Sequence, residues 1–318
     1  MRLKLPQVAL NSENQLYNVF KEQKPVIIKS ISSSWPAMKS WQDYSKLKLR
    51  ILNGKKNDQC VVSVERGGNY MSKAMSLVEI DFIDLLDYFI ALEKSQSGCS
   101  FQSHTEKSHI YLAQTNLKDI YDLIDDVEVP KLVQCTTDVS KNLYNINLWL
   151  GGPGGTDSPC HYDPFQNVLC QVFGSKTVLL FTPDEAHSLY PLLGTVQKNT
   201  SRVDFKPIVR DVLSTIDHLG LSPHVISTDY SSFVFSTSPS APSSSSSAPS
   251  SVINNDIGSL AISPSVDSQR QFERFPKLHE ADGYCVRLEP GDGLFIPMRW
   301  WHHCLSPAAS CSVNFWWR

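Results

Sequence analysis

Hydrophobic and polar positions divide the chain into two regimes. From Tyr144 onward the apolar residues come in strand-length runs at 145–150, 167–173, 176–181, 284–288, 293–297 and 311–317. Glycines and prolines punctuate them, notably Gly151-Gly-Pro-Gly-Gly155, Gly174 and Pro290-Gly-Asp-Gly293. Short strands between turn signals predict a barrel or a double-sheet jelly roll. Residues 1–140 mix their signals. A helix is predicted over 11–20 with Ser12 as N-cap, followed by strands at 25–29 and 60–64. Within 77–92, Phe82, Leu85, Leu86, Phe89 and Ile90 recur at helical spacing, which predicts a second helix. The expected architecture is mainly β, with an N-terminal α/β support over 1–140 and a jelly roll over 141–318.

One stretch has no period. Serine concentrates between residues 227 and 268, and 236–251 contains no aromatic residue at all. Ordering such a segment costs roughly 1–2 kcal/mol per residue, with no apolar burial to offset it. Residues 206–270 therefore read as a disordered Ser-rich insert, with Ser238-Pro and Ser263-Pro as candidate phosphorylation sites. Without the insert, the chain suits one jelly roll and its support better than two domains.

Composition narrows the class. Hydrophobic residues make up 41%, enough for a core, and the net charge of −3 argues against a chain that coats nucleic acid. No apolar run approaches the ~18 residues of a membrane span, and Met1-Arg-Leu-Lys4 leads into polar sequence, not a signal peptide. Eight cysteines without a CxxC pair resemble reduced core thiols of the cytoplasm or nucleus. The glycines at 151–155 lack the Lys-Ser/Thr ending of a phosphate loop.

Candidate chemistry centres on His161-Tyr162-Asp163 and a distant histidine at His302. In a strand, His161 and Asp163 point to one face while Tyr162 points away. Two imidazoles and a carboxylate on one face of an octahedron match the non-haem Fe(II) oxygenase pattern. An HxD alone is weak, and His303 competes with His302, since alternation lets only one of the pair face inward. His187, His218, His224 and His279 read as surface, loop or supporting histidines. Lys176 follows a turn at Gly174-Ser175, which would return it toward the same cavity. A buried lysine needs an anion, and a dicarboxylate such as 2-oxoglutarate would supply one. Asn167 and Asn314 add amide donors among apolar neighbours.

The run Ser158-Pro-Cys-His-Tyr-Asp-Pro-Phe-Gln-Asn-Val-Leu-Cys-Gln-Val-Phe-Gly-Ser-Lys176 resembles the metal strand of the Jumonji C group of 2-oxoglutarate oxygenases. So do Leu288-Glu-Pro-Gly-Asp-Gly-Leu-Phe-Ile-Pro-Met-Arg-Trp-Trp-His302 and Ser312-Val-Asn-Phe-Trp-Trp317. Similarity is greatest to the small hydroxylases that lack chromatin domains and act on arginyl or asparaginyl residues. The resemblance implies a double-stranded β-helix (cupin-type jelly roll) with His161, Asp163 and His302 as Fe(II) ligands. It also implies 2-oxoglutarate held by Lys176, Tyr111, Ser158, Asn167 and Asn314, and O2 as the oxidant. The implied reaction hydroxylates a side chain and converts 2-oxoglutarate to succinate and CO2.

For the substrate, Glu65-Arg-Gly-Gly-Asn-Tyr70 matches the spacing of a Glu and Tyr lining the substrate side of arginyl hydroxylases, and Gln114 and Trp149 match two further positions. A carboxylate with aromatic walls suits a guanidinium, so a protein or peptide presenting a basic side chain is the favoured partner. Trp149, Trp316 and Trp317 are expected to wall the site. Segments 199–204 and 272–276 resemble adjoining parts of one loop near it. Protein demethylation, tRNA-base hydroxylation and an idle binding module stay open as alternatives. A zinc hydrolase is less favoured, because no general base stands beside the motif.

Overall fold

Alternation of side chains along the strands organises the molecule. The computed structural model describes residues 1–4, 6–9, 13–54, 59–96, 109–218, 232–235 and 259–318. In chain order the first strands are β1 (Arg2–Lys4), β2 (Gln7–Ala9), β3 (Val26–Ile28), β4 (Val61–Arg66), β5 (Ser76–Asp81), β6 (Ile110–Asn116), β7 (Leu143–Gly151) and β8 (Thr156–Tyr162). Then come β9 (Gln166–Phe173), β10 (Lys176–Phe181), β11 (Ser232–Phe235), β12 (Ser259–Ile262), β13 (Asp282–Leu288), β14 (Gly293–Ile296), β15 (Trp301–Ser306) and β16 (Ser310–Trp317). They form a seven-stranded sheet, β12-β11-β1-β13-β10-β15-β8, and a nine-stranded sheet, β2-β3-β14-β9-β16-β7-β6-β4-β5. Pairing is mostly antiparallel, and the result is a cupin-type jelly roll.

Period-two patterning decides what lies between the sheets. Leu169, Val178, Leu180, Val286, Leu288, Leu294 and Ile296 meet in the interior. Their neighbours Val168, Cys170 and Val172 face outward, into a core with Trp35, Trp41, Tyr44, Phe82 and Phe89. On the other sheet, Leu179, Phe181, Trp301 and Leu305 face out toward the helices Lys206–His218 and Val266–Arg274. Tight turns hold the strands in register. Gly174, between β9 and β10, has φ +66°, and a Cβ there would lie 2.0 Å from the Ala309 carbonyl oxygen, so only glycine fits.

Two expectations need correction, at residues 76–81 and at the start of the Ser-rich insert. Residues 76–81 form a strand, not the start of a helix: Val78 and Ile80 alternate with Glu79 and Asp81 and pair with β4, and the helix begins at Phe82. The N-terminal 140 residues join the jelly roll through its own sheets. β1 pairs with β13, β3 with β14, and β6, β4 and β5 continue the nine-stranded sheet beyond β7. These strands cover jelly-roll edges that would otherwise expose unpaired backbone groups. The Ser-rich insert was expected to start at 206, yet Lys206–His218 is a helix burying Ile208, Val209, Val212 and Ile216. That apolar stripe repeats at helical spacing, and the serine excess further along hid it. The low-complexity segment 236–251 lies outside the described residues, as do Ser12, the expected N-cap, and His224. No described helix is long and apolar enough to cross a membrane.

Because the stripe is buried, Ile208→Ala should cost about 2–5 kcal/mol of stability. The exposed Arg210→Ala on the same helix should cost less than about 0.5 kcal/mol. Urea midpoints of the two variants measure the contrast.

Candidate metal centre and substrate cavity

β15 pairs antiparallel with β8 so that His302 lies opposite His161 and Trp301 opposite Tyr162. Both imidazoles therefore point between the sheets, their ring centroids 4.4 Å apart. Asp163, just beyond β8, turns its carboxylate onto both: Oδ1 is 3.8 Å from His161 Nε2, and Oδ2 is 3.6 Å from His302 Nε2. One ligand atom from each residue fits within 4.8 Å of the other two. His161 Nδ1 donates to the Pro159 carbonyl at 2.7 Å and His302 Nδ1 to the Trp300 carbonyl at 3.0 Å. A carbonyl only accepts, so both Nδ1 atoms carry the proton and both Nε2 lone pairs face Asp163. Burial, reinforced by the neighbouring His161, pushes the His302 pKa down to about 4, which keeps the ring neutral and ready to ligate. This donor set fits a divalent transition metal bound on one face.

Tyr162 points away as alternation requires, packing edge-on to Trp301 at 4.9 Å. His303 also faces out, toward Phe205 at 6.0 Å, while a bulge between His302 and Cys304 restores the pairing of Cys304 with Ser158.

The cavity beside the cluster is lined by Tyr111, Trp149, Ser158, Asn167, Lys176 and Asn314, which are expected site residues, and also by Leu169, Ile296 and Cys304. Lys176 is 3% exposed, with no hydrogen bond or ion pair among the described residues. Burial lowers its pKa. The ammonium sits 5.9 Å from the Tyr111 ring centre. A buried cation in this setting calls for an anionic ligand, and a carboxylate fits. An amide relay crosses the adjoining strands: Asn145 donates to Asn147, Asn147 Nδ2 to Asn314 Oδ1 at 3.0 Å, and Asn314 Nδ2 to Asn167 Oδ1 at 2.9 Å. Trp149 Nε1 donates to the same Asn314 oxygen at 2.9 Å. The side-chain oxygens of Asn147, Asn314 and Asn167 are thereby occupied, which leaves the Asn167 amide donors for the cavity. Asn145 and Asn147 were missed in the sequence; their i, i+2 spacing with Trp149 on one strand was the available signal.

A smaller cavity adjoins this one through Tyr111 and is walled by Glu65, Asn69, His109, Thr156 and Asp157. Burial and the nearby Asp157 raise the Glu65 pKa to about 7. Burial works against Asp157 as well, yet Lys206 at 3.0 Å, with His303 and Asn69, holds its carboxyl below the ordinary range. Asp157 and Lys206 were not expected at the site, because a lone acid within a strand looks like a surface position. Tyr70 lies 6.4 Å from the His161 ring, its hydroxyl 3.4 Å from Thr200 Oγ1. Gln114 is exposed at a bulge in β6, in the left-handed region at φ 48°. Trp316 stacks on Phe165 at 5.5 Å and stands in register with the cavity residue Asn167. Trp317 does not wall the site. Its position in β16 turns it outward, into the core with Phe20 and Phe295.

The two loop segments do meet: Asp204 N donates to Gln271 Oε1 at 3.1 Å, and Phe205, Phe272 and Phe275 share one core. Asn199 and Thr200 run beside the metal strand, where Tyr162 N donates to the Asn199 carbonyl at 3.0 Å.

Two facing sheets with a His-X-Asp and a distant His between them define a cupin-type protein, and residues 12–318 match the family described as Cupin-like domain. The chain belongs to that family, and proteins named for a Jumonji C domain are among those it is similar to. It is 27% identical over 299 residues to Jumonji C domain-containing protein 5 of Drosophila melanogaster, covering 94% of this chain and 55% of the relative. Lysine-specific demethylase 8 of Danio rerio is 29% identical over 300 residues, covering 93% and 53%. The tRNA wybutosine-synthesizing protein 5 of Homo sapiens is 24% identical over 318 residues, covering 97% and 76%. The chain thus spans about half the length of the first two relatives.

The raised Glu65 pKa has a consequence for folding. Protonated Glu65 fits its cavity, while the carboxylate must lose solvation there. Stability should therefore fall as pH rises from the unfolded carboxyl pKa through about 7. Glu65→Gln should flatten that decline, read as urea midpoints between about pH 5 and about pH 8.

Proposed function

We propose that the protein is an Fe(II)- and 2-oxoglutarate-dependent oxygenase that hydroxylates a basic side chain, arginyl by preference, of a protein substrate. The observation carrying this reading is the conjunction of the His161–Asp163–His302 cluster with the buried, unpartnered Lys176 in one cavity. His161, Asp163 and His302 would hold the metal. Fe(II) held there, together with 2-oxoglutarate and O2, would supply the oxidising chemistry by which a C–H bond is hydroxylated while 2-oxoglutarate is converted to succinate and CO2.

The chain's own residues orient and desolvate. Lys176 pairs with the far carboxylate of 2-oxoglutarate, with the Tyr111 and Ser158 hydroxyls beside it. Asn167, fixed by Asn314, donates a hydrogen bond toward the chelating end, and Trp149 covers one wall. Glu65 accepts from the guanidinium of the substrate. Its proton leaves as that cation arrives, because the raised pKa reflects an unpaired buried carboxyl. Tyr70 supplies a flat face on the metal side. A second reading, removal of N-methyl groups, is favoured by the name of the Danio rerio relative. It uses the same site, since hydroxylating an N-methyl group releases formaldehyde.

His161→Ala and Asp163→Ala should each abolish Fe(II)-dependent succinate release from 2-oxoglutarate; release retained by either variant removes the site assignment. Lys176→Met should raise the KM for 2-oxoglutarate by about 10–100-fold, as loss of a buried charge partner does. Glu65→Ala should weaken an arginyl peptide substrate and leave uncoupled succinate formation nearly intact. A parallel fall in both would make Glu65 structural. Mass spectrometry of peptide and tRNA pools incubated with protein, Fe(II) and 2-oxoglutarate separates hydroxylation (one added oxygen) from loss of methyl.

A further inference from the structure

The small cavity at Glu65 continues outward. Its walls His109 and Thr156 also line a wider groove of about 700 Å3, just as Tyr111 joins it to the metal-side cavity. The three cavities thus lie side by side, in the order cluster, Glu65 and Asp157, groove. That volume falls within the roughly 300–1,000 Å3 of sites that enclose ligands. The charged groups on the groove walls are Lys206, Arg210 and Arg287, opposed by one carboxylate, Asp217. Lys206 is shared with Asp157 at 3.0 Å and Arg287 with Glu289 at 2.9 Å. Arg210 is exposed and forms no salt bridge within 4 Å among the described residues, though its charge reaches Asp204. In a chain of net charge −3, three cations on one groove are a local concentration, not an overall surplus.

We propose that this groove docks an acidic stretch of the substrate polypeptide, adjacent to the residue that enters the metal cavity. This rests on the protein-substrate reading above and adds a flanking requirement to it. Along this row the carboxyls stand nearer the cluster, at Glu65 and Asp157, and the cations stand further out. A polypeptide with a basic residue followed by acidic ones is complementary to both halves at once. The forked guanidiniums of Arg210 and Arg287 match carboxylates in particular. Nucleic acid is a poorer occupant, because a phosphate backbone needs a longer run of unpaired cations than this groove offers.

The test uses three fluorescently labelled peptides, each with a central arginine flanked on one side by glutamates, glutamines or lysines. Binding to the whole chain is followed by anisotropy. The glutamate peptide should bind at least about tenfold more tightly than the lysine peptide, as a favourable charge pair against a like-charge contact requires. Added salt should shrink the gap. Arg210→Glu should reverse the order and Arg210→Lys should keep it, with both variants matching the wild-type urea midpoint. Equal binding of the three peptides, or no change in Arg210→Glu, would overturn the proposal. So would a labelled single-stranded RNA that binds more tightly than the glutamate peptide and is lost in Arg210→Glu. Succinate release without substrate tests the oxygenase reading separately, so either reading can fail while the other stands.

Discussion

The pairing of β15 with β8 sets His302 directly across from His161, and the remaining geometry of the site builds on that register. A slip of one residue would exchange His302 for His303 and carry the second imidazole to the opposite face of the sheet. The register is secured where slippage would be costly. Trp301 and Leu305 are buried outward in the same core as Phe181 and Cys160, so the strand cannot shift without exposing them. The carbonyls of Pro159 and Trp300 then fix each ring's rotation. Apolar packing on the outside of the sheet thus sets polar geometry on the inside.

The interior tolerates polar groups only where they answer one another. Between the sheets, aliphatic side chains occupy most of the volume, and the polar positions gather at one end. Asn147, Asn314 and Asn167 satisfy each other in sequence, whereas Lys176 has no counter-ion among the described residues. Two opposite unmet demands therefore share the cavity, an anionic and imidazole cluster for a cation and an ammonium for an anion. Either demand alone would destabilise the fold. Together they suit a ligand that bridges a metal and a lysine.

Much of this could be read in the sequence, for reasons specific to particular residues. His161 and Lys176 stand in short strands beside sharp turns, with Asp163 just past the end of one, so local periodicity was enough to orient them. The competition between His302 and His303 could not be settled by alternation, which is symmetric between neighbours; resemblance chose, and the β8–β15 register agrees. Trp317 looked like a wall because its neighbours Asn314 and Trp316 face inward, but its odd-numbered position in β16 sends it to the core with Phe20. Asp157 and Lys206 were invisible because their partnership spans 49 positions, and only the fold brings them together. The helix at Lys206–His218 was masked by averaging over a longer serine-rich window, although its own apolar stripe is plain.

The junction of Asp204 with Gln271 has a practical meaning. Sixty-six residues lie between them, yet their main chain and side chain come within 3.1 Å. Loop closure is thus already met by the scaffold, and doubling the intervening length would cost only about 0.6 kcal/mol. The intervening chain still has work of its own, because β11 and β12 extend the sheet from β1 and carry Phe235 and Ile262 into the same core as Phe205 and Phe272, so an inserted tag or reporter would have to leave those two strands whole.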